Sequence, residues 1–409
     1  MNIINEEQIT EKIDGTIISP KGFKATGVYA GVKKKRLDLG AIVCDVPASS
    51  AAVYTLNNVQ AAPLKVTKES IAKEGKLRAV IVNSGNANAC TGTRGLEDAY
   101  EMRRIGAEVF SLPEHQVAVT STGVIGEFLP MDKIATGIGS LKPEATAEGA
   151  ELFGEAIMTT DTMKKSACFT TTIDGELVTV AGAAKGSGMI NPNMATMLGF
   201  ITTDANISPE ALQRALSEVT NKTFNRVTVD GDTSTNDMVV LMASGLAGHA
   251  TLDEQHPEWE KFVNALEKVG ESLAKKIARD GEGATKLIEV QVKGAKNDEE
   301  AGKVAKQIVG SSLVKTAVFG TDANWGRIIC AIGYSGATID PDTIDIALGS
   351  IVTLENSQPQ PFSEVDAKAY LEGENILIQV DLKVGDGVGK AWGCDLTYDY
   401  VRINAGYRT

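Results

Sequence analysis

Short runs of β-branched residues alternate along this chain with stretches of helical spacing, and that alternation most narrows what it can fold into. Residues 79–83, 117–120 and 177–180 are such runs, bounded by Gly, Asn and Ser, and read as strands. Apolar residues at helical spacing predict a helix over 96–110. A second opens at Ser208-Pro209-Glu210 with an N-cap, a proline in the first turn and a favourable acidic charge, and a third covers 259–278, ended by Asp280-Gly281. Residues 196–203 read as a largely apolar strand bounded by Asp204, while 286–293 and 375–383 alternate apolar and polar side chains as half-exposed strands do. The irregular order of strands and helices predicts a mixed α/β layered fold. The 41 glycines and the low aromatic content of 5% point to tight turns and close backbone approaches rather than a helical solenoid.

The 409 residues are enough for two or three domains with a large core of their own. A net charge of −13, concentrated beyond residue 195, opposes broad binding to nucleic acid or to an anionic membrane. Cys44, Cys90, Cys168, Cys330 and Cys394 lie far apart with no C-x-x-C pair, which suggests neither a disulfide framework nor a zinc knuckle and fits a reducing cytoplasm. The N-terminal residues lack a basic n-region and an apolar h-region, and no run reaches the length needed to span a bilayer. The expectation is a soluble, cytoplasmic protein.

Several chemistries fail on their residues. The nearest nucleophile elbow, Gly333-Tyr334-Ser335-Gly336-Ala337, lacks its last glycine, and three histidines, His115, His249 and His256, leave little for a histidine triad or metal site. In 385–391, Val384 and Ala391 stand where a phosphate loop needs Gly and Ser or Thr, so a glycine-rich turn is the better reading. Asp230, Asp232 and Asp237 could hold a divalent cation, but an Asx-rich turn whose side chains bond backbone amides is favoured. Lys33-Lys34-Lys35-Arg36 reads as solvated surface.

One route to a nucleophile needs no histidine. A Thr freed at a new N-terminus carries its own base, because an α-amino group with an ordinary pKa near ~8 accepts the hydroxyl proton at neutral pH. Thr196 follows a small Ala195 at the end of a Gly- and Pro-punctuated loop, where its hydroxyl could attack the Ala195 carbonyl. Read from spacing alone, the favoured reading of Thr196 is a residue opening a buried strand, since Thr favours strands. The oxyanion of such chemistry needs donors, and residues 120–126, at a strand end, offer hydroxyls and unhindered amides.

Taken together these residues resemble the ornithine acetyltransferase, or glutamate N-acetyltransferase, family of arginine biosynthesis. Asn193-Met194-Ala195-Thr196-Met197-Leu198 resembles its self-cleavage and nucleophile motif, Ser121-Thr122-Gly123-Val124-Ile125-Gly126 its oxyanion-hole motif, and residues 230–237 its acidic loop. Residues 320–327 and the tail Asn404-Ala405-Gly406-Tyr407-Arg408-Thr409 match as well, so the likeness runs nearly the full length. It implies a layered α-β-β-α sandwich of the aminopeptidase and ornithine acetyltransferase type with a smaller C-terminal α/β part. It also implies cleavage between Ala195 and Thr196 into chains 1–195 and 196–409, assembled as α2β2. Thr196 would carry acetyl from N2-acetyl-L-ornithine to L-glutamate in a ping-pong cycle, with Thr122 and Gly123 holding the oxyanion. Thr159, Lys185, Thr196, Glu282, Asn404 and Thr409 would contact the amino-acid substrate, a cation suiting its carboxylate and an anion the ornithine ammonium. No metal or resident cofactor is implied, and acetyl-coenzyme A is a donor in some members.

Two other readings remain open from sequence. One is a self-processing amidohydrolase or aminopeptidase with the same nucleophile and water as acceptor. The other is a metal-dependent nucleotide-binding protein built on the three aspartates and residues 385–390.

Overall fold

The computed structural model describes residues 9–191 and 197–406. A first sheet takes β1 (Thr10–Glu11), β2 (Phe23–Val28), β3 (Leu39–Tyr54), β4 (Lys76–Asn86), β5 (Val117–Val124), β6 (Lys165–Ile173), β7 (Glu176–Lys185) and β8 (Leu198–Thr203). Past the short β9 (Val227–Thr228), which belongs elsewhere, β10 (Met238–Ala243) completes it. Hydrogen bonding runs β1-β6-β7-β8-β10-β3-β4-β5, with β2 also on β3. Strands from both sides of the 195/196 junction are interleaved, since β8 and β10 lie between β7 and β3.

The long β3 turns this sheet into two layers. Its first half pairs with β2 and β4, its second with β10, and the register slips between Val43 and Ala48. Pro47 sits inside that slip, where a missing amide costs no ladder bond, and the irregularity adds the twist that folds the sheet back on itself. The two layers face one another through Ile42, Val80 and Val82 on one side and Phe200, Met238 and Val240 on the other. Phe153, on a helix inserted at the edge of this interior, meets Phe200 edge-on with ring centroids 5.3 Å apart.

Because successive side chains point to opposite faces, the remaining residues of the same strands form two outer cores. Ala79 and Ile81 of β4 face α1 (Ala62–Glu74), α2 (Gly92–Phe110) and α3 (Met131–Ser140). After α4 (Ala147–Ala156), which carries Phe153, come α5 (Pro209–Lys222) and α6 (Trp259–Arg279), which cover Ile201, Val239 and Leu241. The strands are apolar without alternation because both faces are buried. The result is the α-β-β-α layering expected from sequence.

A second sheet, in the order β14-β13-β12-β15-β11-β16-β9, supplies the smaller C-terminal part. It comprises β11 (Leu287–Ala295), β12 (Asp345–Leu348), β13 (Ile351–Glu355), β14 (Gln358–Pro359), β15 (Asn375–Asp381) and β16 (Gly387–Cys394) besides β9. One face packs on α7 (Asp298–Gly310), α8 (Ser312–Phe319), α9 (Trp325–Gly333) and α10 (Glu364–Leu371), and α11 (Tyr398–Gly406) follows β16. The expected helices are present: Ser208 accepts a bond from the Ala211 amide as N-cap of α5, and α6 stops at Asp280. The strand expected over 196–203 begins at Leu198 instead, where the first ladder partners, Lys185 of β7 and Met238 of β10, are reached.

Candidate active site

The C-terminal ends of β5 and β7 and the N-terminal ends of β8 and β10 meet at one edge of the sandwich, around a cavity of about 230 Å³. Thr122 and Gly123 reach it from β5. The neighbouring hydroxyl, Ser121, points the other way and donates to Asn83 Oδ1 at 2.5 Å, as alternation along a strand requires. Gly123 has φ +134° and lies against Gly85 of parallel β4; a Cβ there would stand 2.3 Å from the Gly85 carbonyl carbon. Only glycine fits this approach.

Lys185 ends β7 with its ammonium buried in the cavity wall, where Nζ donates a long bond to Thr122 Oγ1 at 3.4 Å. It makes no direct ion pair among the described residues, and burial pulls its pKa down against the more distant carboxylates of Asp161, Asp237 and Glu282. An unpaired buried ammonium beside a hydroxyl suits an incoming carboxylate.

Behind Lys185 lies a buried charge cluster. Lys165 Nζ stands 2.7 Å from Asp161 Oδ1 and 2.5 Å from Asp280 Oδ2, with all three side chains almost wholly enclosed. Burial would raise the Asp161 carboxyl, but the ammoniums of Lys185 and Lys165 outweigh it and hold the group well below the usual carboxylate range. Asp161 also accepts from the Gly186 amide at 2.7 Å and the Thr159 amide at 2.9 Å. Asp280 accepts from the Thr162 amide at 3.1 Å, and its carbonyl takes the Ser187 hydroxyl at 2.7 Å. The cluster therefore joins the segments that carry Thr159, Lys185 and Glu282.

Glu282, past the end of α6, is fixed by its amide on the Ser187 carbonyl at 3.0 Å. A Cβ on Gly188 would lie 2.4 Å from its carboxyl carbon. From α11, Asn404 Nδ2 donates to Glu282 Oε2 at 2.8 Å, and Tyr400 enters the same wall. Burial, then the negative charge of Asp230, Asp232 and Glu282, pushes the Tyr400 phenol far up, so it stays a neutral hydroxyl.

The acidic loop behaves as an Asx-rich turn. Asp230 accepts from the amides of Met189 at 2.6 Å, Ile190 at 2.9 Å and Asp232 at 3.2 Å. Among the described residues no group of three His, Cys, Asp or Glu side chains is placed to hold a metal ion. Asp237 is the most deeply buried carboxylate of this loop, and burial pushes its carboxyl well above the usual range despite bonds from Ser234 and the Met197 amide and the charge of Lys185.

Of the residues singled out from sequence, Thr122, Gly123, Thr159, Lys185, Glu282 and Asn404 line this one cavity. Ala195, Thr196 and Thr409 lie outside the described residues. Two expectations need correction. Lys33-Lys34-Lys35-Arg36 is not simply solvated: Lys33 Nζ bonds the Met158 carbonyl at 2.8 Å and Arg36 the Asp161 carbonyl at 3.4 Å, because the run packs beside the Thr159 segment. Gly387 and Gly389 lie in β16 rather than a turn, where a Cβ would meet the Asn297 and Gly302 backbones at 2.2 and 2.6 Å, so they serve close packing of α7 and not a phosphate. Sequence reasoning missed Asp161, Lys165, Asp280 and Tyr400. No spacing signals the first three, since Asp280 lies 115 positions from Lys165.

A family model described as the ArgJ family matches residues 24–409. Curated relatives named "Arginine biosynthesis bifunctional protein ArgJ" include one from Halalkalibacterium halodurans, 69% identical over 411 residues and covering 100% of both chains. Another, from Geobacillus kaustophilus, is 66% identical over 402 residues and covers 98% of each. Among solved structures, ornithine acetyltransferase complexed with ornithine from Mycobacterium tuberculosis is 37% identical, with 46% of this chain and 100% of that chain covered and a TM-score of 0.43.

Proposed function

This chain belongs to the ArgJ family of arginine-biosynthesis acyltransferases, and from that premise we propose that Thr196 carries acetyl from N2-acetyl-L-ornithine to L-glutamate. The observation that carries this reading is the cavity at the strand ends, where Thr122 and Gly123, a buried ammonium with no direct ion pair among the described residues and a fixed carboxylate meet beside Met197, the residue after Thr196.

The chain first cuts itself. The Thr196 hydroxyl adds to the Ala195 carbonyl, the C–N bond breaks to leave an ester, and water hydrolyses it into chains 1–195 and 196–409. These stay together because β8 and β10 of one complete the sheet begun by β1 to β7 of the other. The freed α-amine then takes the hydroxyl proton as Thr196 attacks the acetyl group. Thr122 Oγ1 and the Gly123 amide stabilise the tetrahedral oxyanion, ornithine leaves, and the glutamate amine takes the acetyl through a second such intermediate. Lys185 holds the substrate carboxylate and Glu282, with Asn404, the ornithine ammonium, while Thr159 and Thr409 complete the contacts. No metal or resident cofactor is needed. Acetyl-coenzyme A serves as a second donor, in keeping with relatives named bifunctional. Among the described residues no helix is long and apolar enough to cross a membrane, and we assign the enzyme to the cytoplasm as an α2β2 assembly.

Intact mass and a denaturing gel test the reading. Wild type should give two chains that sum to the 43.1 kDa precursor plus one water, and Thr196→Ala should remain one inactive chain. Active enzyme that is a single intact polypeptide would refute the mechanism, because an amide nitrogen cannot serve as the base.

A further inference from the structure

The transfer cycle leaves three carboxylates of the cavity unused, Asp230, Asp232 and Asp237, and of these Asp237 is the one enclosed with an oxygen left over. It is 3% exposed, and its Oδ2 has no hydrogen-bond partner among the described residues. The other contacts are with Ser234 and with the amide of Met197, so the side chain is anchored one residue along the chain from the bond to be cut. The ladder explains the position: Met238 pairs with Leu198, which places Asp237 alongside Met197. A buried, partnerless carboxylate oxygen is costly and a neutral acid much less so. The upward push on its titration agrees with a group that keeps its proton. The charged and titratable groups around the same cavity are Lys185 on β7, Asp230 and Asp232 on its own loop, Glu282 after α6 and Tyr400 on α11.

We infer that Asp237 is the proton relay of self-cleavage. Attack of the Thr196 hydroxyl on the Ala195 carbonyl requires one proton to leave Oγ and one to reach the departing nitrogen. The Asp237 carboxylic acid gives its proton to the Thr196 nitrogen as the C–N bond breaks, and its carboxylate takes the proton that Oγ loses. The acid ends as it began, and the net change is one proton moved from oxygen to nitrogen with an ester in place of the amide. The assignment rests on the Thr196 mechanism proposed above and adds to it the proton path.

The test follows the full-length precursor made by cell-free translation, sampled over time on denaturing gels. Asp237→Asn keeps the shape without the transferable proton and should cut at least about 10²-fold more slowly, the usual worth of a positioned acid–base group. Asp237→Glu restores an acid and should recover cleavage over Asp237→Asn. Cleavage of Asp237→Asn at the wild-type rate overturns the inference, as does a Glu variant no faster than the Asn variant. The wild-type precursor gives a reading that does not depend on a variant folding: its cleavage should be slower in D2O than in H2O, because the relay moves protons in the step, and equal rates in the two solvents overturn the inference. Thr196→Ala separates the two ideas. If it stays intact while Asp237→Asn cuts normally, only the relay is wrong; if it cuts, the nucleophile is wrong as well.

Discussion

Two of the molecule's concavities differ in kind, and the smaller of this pair is the one that gathers the candidate site residues. A groove of about 600 Å³ runs along the second sheet against α5 and α6, well over twice the size of the cavity at the strand ends. Several of its charges stand in pairs at least partly open to water: Lys293 with Asp381 at 3.3 Å, Lys222 with Glu267 at 3.7 Å and Lys390 with Glu271 at 3.8 Å. In the cavity, among the described residues, Lys185 is buried without a direct counter-ion and Asp237 keeps a partnerless oxygen, and a wholly buried ion cluster lies behind. Charges already paired in solvent have little left to offer a ligand, whereas charges desolvated in advance hold interaction free energy in reserve. The contrast predicts that equivalent Lys→Met changes differ in size and even in sign between the regions.

Lys165→Met should do the most damage. It removes the cation shared by Asp161 and Asp280 and leaves two enclosed carboxylates facing one another. Breaking a buried pair from one side costs about 3–5 kcal/mol, which the midpoint of urea unfolding would show. A loss under about 1 kcal/mol would mean that the cluster is wetter than its geometry implies and would erase much of the contrast.

How much of this could be read from the sequence follows from how local each signal is. The helix opened by Ser208-Pro209 and the strands over 286–293 and 375–383 are written in neighbouring residues, and the structure places them with shifts of one or two positions. Thr122-Gly123 and Lys185 were legible because a known family carries them as motifs. The slip at Pro47 that folds one sheet into two layers was not, since it depends on which strands pair with each half of β3. Nor was the Asp161–Lys165–Asp280 cluster, whose members become neighbours only when α6 ends against β6 and β7. Lys33 misled for the same reason: a basic run reads as surface until the carbonyl it reaches, on Met158, is known.

Lys185→Met should move stability and function in opposite directions. The methionine keeps most of the stem and removes a charge that burial disfavours. With a pKa below its unfolded value of 10.5, the ammonium costs folding free energy at neutral pH, and that cost fades as pH rises towards 10.5. The variant should therefore melt at or above the wild-type temperature at pH 7, with the gap closing in alkali. Its KM for glutamate should meanwhile rise about 10- to 100-fold, the worth of one hydrogen bond to a charged group. A lower melting temperature with KM unchanged would make Lys185 a structural residue and return the binding role to other groups.

The smallest effect is expected in the groove, from Lys293→Met. Lys293 is 71% exposed and its partner Asp381 22%, so the pair is screened and its loss frees both side chains to move. Pairs of this kind contribute about 0–1 kcal/mol, and salt reduces that further. Unfolding midpoints of wild type and variant should differ by no more than that at low ionic strength and converge in about 0.5 M salt. KM for both amino-acid substrates should stay put, since the groove has no part in the transfer cycle. A rise in KM would show that the larger concavity does communicate with the cavity, through α6, whose far end leads to Asp280 and Glu282. The division between paired and unpaired charge would then no longer separate scaffold from site.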